Sequence, residues 1–307
     1  MSDRAKSGRH TVLMGDPTYF QVVGGANPHT RDRFGRRKSV DRELAIQQWG
    51  RMRRTLEELG VHVHVIPPDP KLPGLVYPAN AGVMRGGQFV LSNLTPTRAG
   101  EQPVYARELE SLGITPQRIE SRFEGEADLF PVADHWIFTH GQIERQRFVA
   151  RLGWPPWRRV YGFRSDPAAL REIAARAPAK GETIRIELHD ERFYHGDTCL
   201  CSFGPGRASL LAYLPALTPA SQDTLRKRFG ERLIELSEDD AAIYAANSFA
   251  LEVEGQPTLV MPAGSSGQLR ALVAEHETRV IPVDVSEFYK KGGGSVKCMI
   301  GDLGVIG

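Results

Sequence analysis

The sequence predicts an α/β protein built as one closed array of five similar units, a single domain over residues 1–307. Three observations carry this. The order strand, strand, helix, strand recurs, with five helices spaced roughly every 50–60 residues, although residue identity does not visibly repeat. Hairpins stand between the helices, and an open doubly wound sheet accommodates them poorly. The final segment, 299–305, can pair near the first strand at 11–14 and complete the fifth unit.

The elements follow in order. Across 41–59, Ile46, Trp49, Met52, Leu56 and Leu59 recur at steps of three and four, which puts them on one helix face. Gly60 stops that helix. Val61-His62-Val63-His64-Val65 alternates as a strand. A hairpin over 83–91 turns at Gly86-Gly87, a helix covers 103–112, and a strand lies near Arg118. The next unit has strands at 129–132 and 136–138, a helix from Pro167 and a strand over 184–188. Strands at 198–203 and 208–214, a helix over 219–229 and a strand at 233–236 make another. The last complete unit has strands at 249–253 and 258–261, a helix over 266–275 and a strand at 279–283.

Composition narrows the function classes. Lys and Arg total 39 against 37 Asp and Glu, a net charge of +2, which gives no electrostatic case for nucleic acid or a membrane surface. Three cysteines, Cys199, Cys201 and Cys298, are too few and odd in number for a disulfide framework and fit a reducing compartment. Residues 1–10 contain no apolar signal-peptide region. No apolar run approaches the roughly 18 residues of a membrane span. A cytoplasmic protein is expected. No dinucleotide or P-loop motif is present.

Reactive and amide residues arrive at related places in the units. Asn80, Glu124, His195 and Asn247 each precede a hairpin, and Cys298 starts the last strand. Each alone reads as a turn or cap residue. If five units surround an axis, however, the five side chains converge on one central cavity. Cys298 follows Gly292-Gly293-Gly294-Ser295-Val296-Lys297. The glycines allow close approach, and Lys297 is a cation that could favour the nucleophilic thiolate. In an extended segment His195 and Asp197 share a side, so a carboxylate would steady the imidazole. The acidic run from Glu124 to Asp128 suits a cationic guanidinium with its planar fork of donors. Zinc on His195, Cys199 and Cys201 lacks the spacing of a four-ligand set, so no metal is expected.

At these residues the sequence resembles the guanidine-modifying enzyme superfamily over nearly the whole chain. The resemblance rests on Ala79-Asn80-Ala81-Gly82, Phe123-Glu124-Gly125, Tyr161-Gly162-Phe163-Arg164-Ser165, Asp190-Glu191-Arg192-Phe193-Tyr194-His195 with Asp197-Thr198-Cys199, and Gly292-Gly293-Gly294 leading to Lys297-Cys298. It implies a five-bladed αβ propeller of ββαβ units, the pentein fold. It also implies Cys298 as nucleophile, His195 as acid/base, and Glu124 and Asp197 as carboxylates holding the guanidinium or the histidine. Asn80 would face the guanidinium, Arg98 and Arg164 would grip a substrate carboxylate, and Asn27, Asn247 and Asp128 would line the substrate site. The resemblance is closest to dimethylarginine dimethylaminohydrolase-like hydrolases and, within them, to arginine dihydrolases. Dimethylargininase or deiminase chemistry, amidino transfer and non-catalytic guanidino binding are the alternatives. The implied partner is a small guanidino compound, arginine or a methylarginine, with no cofactor; a homo-oligomer is left open. Asn27-Pro28-His29-Thr30 and Gly196 depart from the family's Asn-Pro-Trp-Met and from its leucine after the histidine. Residues 142–160 look inserted, as a lid or a subunit contact.

Overall fold

The computed structural model describes residues 8–23, 27–32, 34–144, 147–154 and 156–306. Five three-stranded sheets stand around one axis. The first joins the two chain ends: β1 (Arg9–Gly15) pairs in parallel with β2 (His62–Ile66) and antiparallel with the C-terminal strand over Gly301–Ile306. Between β1 and β2 lies α1 (Arg42–Glu58), capped by the Asp41 side chain on the Leu44 N–H. It buries Ala45, Gln48, Trp49, Met52 and Leu56, and its apolar members join Val12, Met14 and Val63 in one core cluster. Ile46, expected on that face, is 45% exposed. The buried stripe is set by Ala45 and Gln48, so the helix is rotated slightly from the purely apolar reading.

The second unit has β3 (Gly82–Arg85), β4 (Gln88–Leu91), α2 (Gln102–Ser111) and the short β5 (Gln117–Arg118). Gly86 and Gly87 have φ of 57° and 76°, the paired positive values of a tight hairpin. The third has β6 (Leu129–Val132) and β7 (His135–His140). It continues through β8 (Arg147–Ala150), β9 (Trp157–Val160), α3 (Ala169–Arg176) and β10 (Thr183–Glu187). The α3 helix starts two residues after Pro167, because the Asp166 side chain and carbonyl take the N–H groups of Ala168 and Ala169 in a preceding turn. The stretch 142–160 contains its own two-stranded β8–β9 hairpin, with Phe148, Leu152, Trp154 and Trp157 exposed; residues 145, 146 and 155 of it lie outside the described residues.

The fourth unit comprises β11 (Leu200–Phe203), β12 (Ser209–Ala212), α4 (Pro219–Phe229) and β13 (Leu233–Glu235). A short α5 (Glu238–Ala242), capped by Ser237, precedes the fifth, which has β14 (Phe249–Val253), β15 (Gln256–Pro262), α6 (Gly267–Glu275) and β16 (Arg279–Val283). After α7 (Ser286–Lys291) the chain returns as β17 (Gly301–Ile306). In every unit the hairpin is antiparallel and the third strand parallel, as the ββαβ order requires. The leading strands lie innermost: β17 meets β3, β6 meets β11, and β11 meets β14. This is the five-bladed αβ propeller. Among the described residues no helix is long and apolar enough to cross a membrane.

Candidate active site

A short turn precedes each innermost strand and delivers one polar side chain to the axis. Asn80 ends the 3-10 turn Pro78–Asn80, Glu124 and His195 stand just before Gly125–Ala127 and Gly196–Thr198, and Cys298 lies within Lys297–Met299. Cys298 is thus three residues ahead of β17 rather than in it. Asn247 follows Tyr244, whose φ is 58°. All five side chains are buried.

Hydrogen bonds join them in sequence around the axis. Asn80 Nδ2 donates to the Glu124 carbonyl at 3.2 Å. Glu124 Oε2 lies 2.8 Å from His195 Nε2. Asn247 Nδ2 donates to the Asp197 carbonyl at 3.0 Å and contacts Cys298 Sγ at 3.1 Å, while its Oδ1 accepts the Ser295 and Cys298 N–H groups, both at 3.0 Å. Above this ring opens a cavity of about 420 Å³ lined by Asn27, Asn80, Arg98, Glu124, Arg164, Tyr194, His195 and Cys298.

Asp197 was expected beside His195; instead Glu124 holds the imidazole, and Asp197 Oδ2 accepts from Cys298 Sγ at 3.4 Å. The reason is local: 196–198 is a 3-10 turn, which removes the two-residue alternation of an extended strand. Burial pushes the Asp197 carboxyl up to about 6, with the charges of His195 and Lys297 pulling the other way. Burial acts on Glu124 too, but the His195 hydrogen bond and charge, with Arg164 and Arg98, hold it far below the usual carboxylate range. The Cys298 thiol is pushed well up by burial and by Asp197. Among the described residues the buried Asp197 Oδ1 has no hydrogen-bond partner.

Several expected roles are corrected. Lys297 does not serve the thiol: its Nζ pairs with Glu126 and donates to the Ile300 carbonyl at 3.0 Å. Of the acidic run only Glu124 faces the cavity. Asp128 lies behind it, accepting from Thr139 Oγ1 at 2.6 Å, Ser165 Oγ at 2.6 Å and the Gly196 N–H at 2.9 Å. Ser165 Oγ in turn accepts the Glu124 N–H, so Asp128 braces both members of the Glu124–His195 pair. Gly196 is explained here, since a Cβ would stand 2.3 Å from Thr139 Oγ1. Asn247 holds the Cys298 segment rather than lining the cavity.

Asn27 lines the cavity, but its amide donates to the Gly292 carbonyl at 2.9 Å and to Tyr194 Oη at 3.2 Å, and accepts the His29 N–H at 3.0 Å. Arg98 forms a buried ion pair with Glu101 and also donates to Asn80 Oδ1 at 2.6 Å and the Gly74 carbonyl at 3.0 Å, so it is tied into the wall. Arg164 lines the cavity with its guanidinium 5.1 Å from the Tyr194 ring centroid.

The glycines before Cys298 let protein side chains pack close against the backbone. A Cβ on Gly292 would meet Tyr77 Oη at 2.0 Å, one on Gly293 would meet Asn27 at 2.9 Å, and one on Gly294 would meet Tyr77 and the Cys298 Cβ, at 2.7 and 2.9 Å. Sequence reasoning missed Tyr194, Tyr77 and Glu101; adjacency to His195 was the signal for the first. Cys199 and Cys201 turn to the carbonyls of Gly196 and Ser248. Among the described residues no group of three or more His, Cys, Asp or Glu is placed to hold a metal ion.

The family described as N,N dimethylarginine dimethylhydrolase, eukaryotic, matches residues 16–305. The N(G),N(G)-dimethylarginine dimethylaminohydrolase of Mycobacterium tuberculosis is 32% identical over 289 residues, 93% of this chain and 83% of that protein. The bifunctional arginine dihydrolase/ornithine cyclodeaminase ArgZ of Synechocystis is 30% identical over 293 residues; the match takes in 94% of this chain and 37% of that longer protein. The crystal structure of the ArgZ N-terminal domain, described as an arginine dihydrolase bound to substrate, aligns with a TM-score of 0.80 at 28% identity, covering 96% of this chain and 98% of that one. The matched span contains the whole ring from Asn80 to Cys298, and the chain belongs to the N,N dimethylarginine dimethylhydrolase family, as a hydrolase of guanidino C–N bonds.

Proposed function

We propose that the chain hydrolyses L-arginine twice, to ornithine, carbon dioxide and two molecules of ammonia, through covalent intermediates on Cys298. The observation that carries this is the neutral amide of Asn80 at the cavity wall. Its Oδ1 accepts one bond from Arg98 and its Nδ2 gives one to the Glu124 carbonyl. One lone pair and one N–H remain. A guanidinium needs an acceptor there; the neutral ureido group left by the first hydrolysis also presents a carbonyl, which needs a donor. An aspartate would supply acceptors only, so the ureido product would leave.

The cation enters beside Glu124 and Asp197, and its charge offsets what keeps the Cys298 thiol protonated. As the cation binds, the thiol releases its proton to solvent, and attack of the thiolate on the guanidinium carbon forms the S–C bond. The departing nitrogen takes a proton from His195 and leaves as ammonia. Water, deprotonated by His195, then adds to the thiouronium carbon, and C–S cleavage releases the ureido product. A second attack expels the second ammonia and leaves a thiocarbamate. Its hydrolysis gives a carbamate that loses carbon dioxide to become ornithine. Carboxylates held by the turns supply orientation and charge stabilisation without rearrangement.

The Mycobacterium tuberculosis relative favours a second reading, one hydrolysis of a methylated arginine to citrulline and an amine. Incubation with arginine and with dimethylarginine, assaying ammonia, methylamines, citrulline and ornithine, separates the two. Ornithine from arginine is expected, and Asn80→Asp should shift the product toward citrulline. Citrulline alone after long incubation of the wild type would defeat the double hydrolysis.

A further inference from the structure

We infer that Tyr194 is a positioning residue that ties the segment leading to Cys298, the His195 imidazole and the Arg164 guanidinium into one rigid unit. Its hydroxyl donates to the Gly293 carbonyl at 2.8 Å and accepts the Asn27 amide at 3.2 Å. The same amide donates to the Gly292 carbonyl at 2.9 Å. Two successive carbonyls of the nucleophile's approach are therefore fixed by one Tyr–Asn pair. Gly293 stands at φ 86°, a conformation that only glycine holds without strain and that these bonds keep in place. The Tyr194 ring lies 4.7 Å, centroid to centroid, from the His195 ring, and its face carries Arg164. The residue is 6% exposed, and burial raises its hydroxyl pKa far above the ordinary value. Its hydroxyl therefore keeps its proton as the donor to Gly293.

The two halves of the side chain do different things. The hydroxyl aligns Cys298 through 292–294; the ring supports Arg164 and hence the substrate's far end. This rests on Cys298 as the attacking group and holds whether the substrate is arginine or a methylarginine. Tyr194→Phe keeps the ring and orphans the Gly293 carbonyl. It should lower kcat by about tenfold with KM little changed, the effect of one lost buried hydrogen bond on a transition state. It should also slow iodoacetamide labelling of Cys298, with Cys298→Ala as the control for the label's position. Tyr194→Leu removes the ring as well, and should add a rise in KM for arginine that is absent for agmatine, which has no carboxylate. The labelling needs no turnover, so it tests the alignment even if the substrate assignment fails. Wild-type kcat and labelling rate in Tyr194→Phe, with or without a lower melting temperature, would overturn the inference. So would equal KM losses on arginine and agmatine in Tyr194→Leu.

Discussion

Asn247 is the sharpest test of the ring, because it does not line the cavity yet holds Cys298. It is fully buried. Its Oδ1 accepts two N–H groups and its Nδ2 serves the Asp197 carbonyl and the Cys298 sulfur. Asn247→Ala leaves two buried N–H groups and one buried carbonyl without partners, at about 1–3 kcal/mol each. Water entering from the adjoining cavity offsets part of this, so the low end applies, a loss of ~3 kcal/mol. For a chain larger than 250 residues that corresponds to about 6 °C in melting temperature. Asn247→Asp separates stability from chemistry. It keeps the Oδ1 acceptor but turns a carboxylate oxygen toward the Asp197 carbonyl and Sγ, which pushes the thiol further from ionisation. Its kcat should fall by more than its stability predicts. Calorimetry on both variants, with initial rates measured well below their transitions, checks the argument. An Asn247→Ala protein melting within about 1 °C of wild type and retaining wild-type kcat would refute it.

Cys298→Ala should abolish turnover while the protein stays folded by circular dichroism, whereas Cys199→Ala and Cys201→Ala, both buried, should cost only about 1–2 kcal/mol of stability and leave product formation intact. Asp197 sets a pH window. Its carboxyl is raised from 3.8 to about 6, so protonation favours the folded, ligand-free protein, and that advantage is lost as pH rises from 3.8 to about 6. Guanidinium binding has the opposite sign, since it needs the carboxylate. Calorimetric affinity of the Cys298→Ala protein for arginine should fall about tenfold per unit on the acid side, and Asp197→Asn should flatten that limb; an unchanged limb would assign it elsewhere.

The order of elements was readable because each unit is punctuated by strong local signals. Gly86-Gly87 fixes a hairpin, Ser266 caps a helix, and Pro219 opens α4 at the expected residue. Convergence of Asn80, Glu124, His195, Asn247 and Cys298 followed from repeat order alone. Which carboxylate faces which group was not readable. Asp197 is close to His195 in sequence, and only the backbone of 196–198 decides that it turns to Cys298 instead. Lys297 shows the same limit: adjacency to Cys298 suggested an electrostatic role, but successive residues of a turn point apart, and its ammonium goes to Glu126. The role of Asp128 depended on Thr139 and Ser165, distant in sequence, which no spacing could supply.

These misses share a cause that also explains the chemistry. The turns that bring five side chains together leave little room for free charges, so most polar groups at the axis are spent on holding one another. Asn27, Asn247, Arg98 and Asp128 all satisfy backbone or partner atoms of the wall. What remains unspent is informative. Among the described residues Asp197 Oδ1 has no hydrogen-bond partner, one N–H and one lone pair of Asn80 remain, and burial and Asp197 push the Cys298 thiol well up. A planar cation with several donors meets the Asp197 oxygen and the Asn80 lone pair and relieves the third need, leaving the Asn80 N–H for a carbonyl. A neutral or anionic compound of similar size would offer the buried carboxylate no charge to pair with. Selectivity for a guanidinium at the first step would follow from the unfilled valences of the ring, and the proposed second step would depend on the single amide at Asn80.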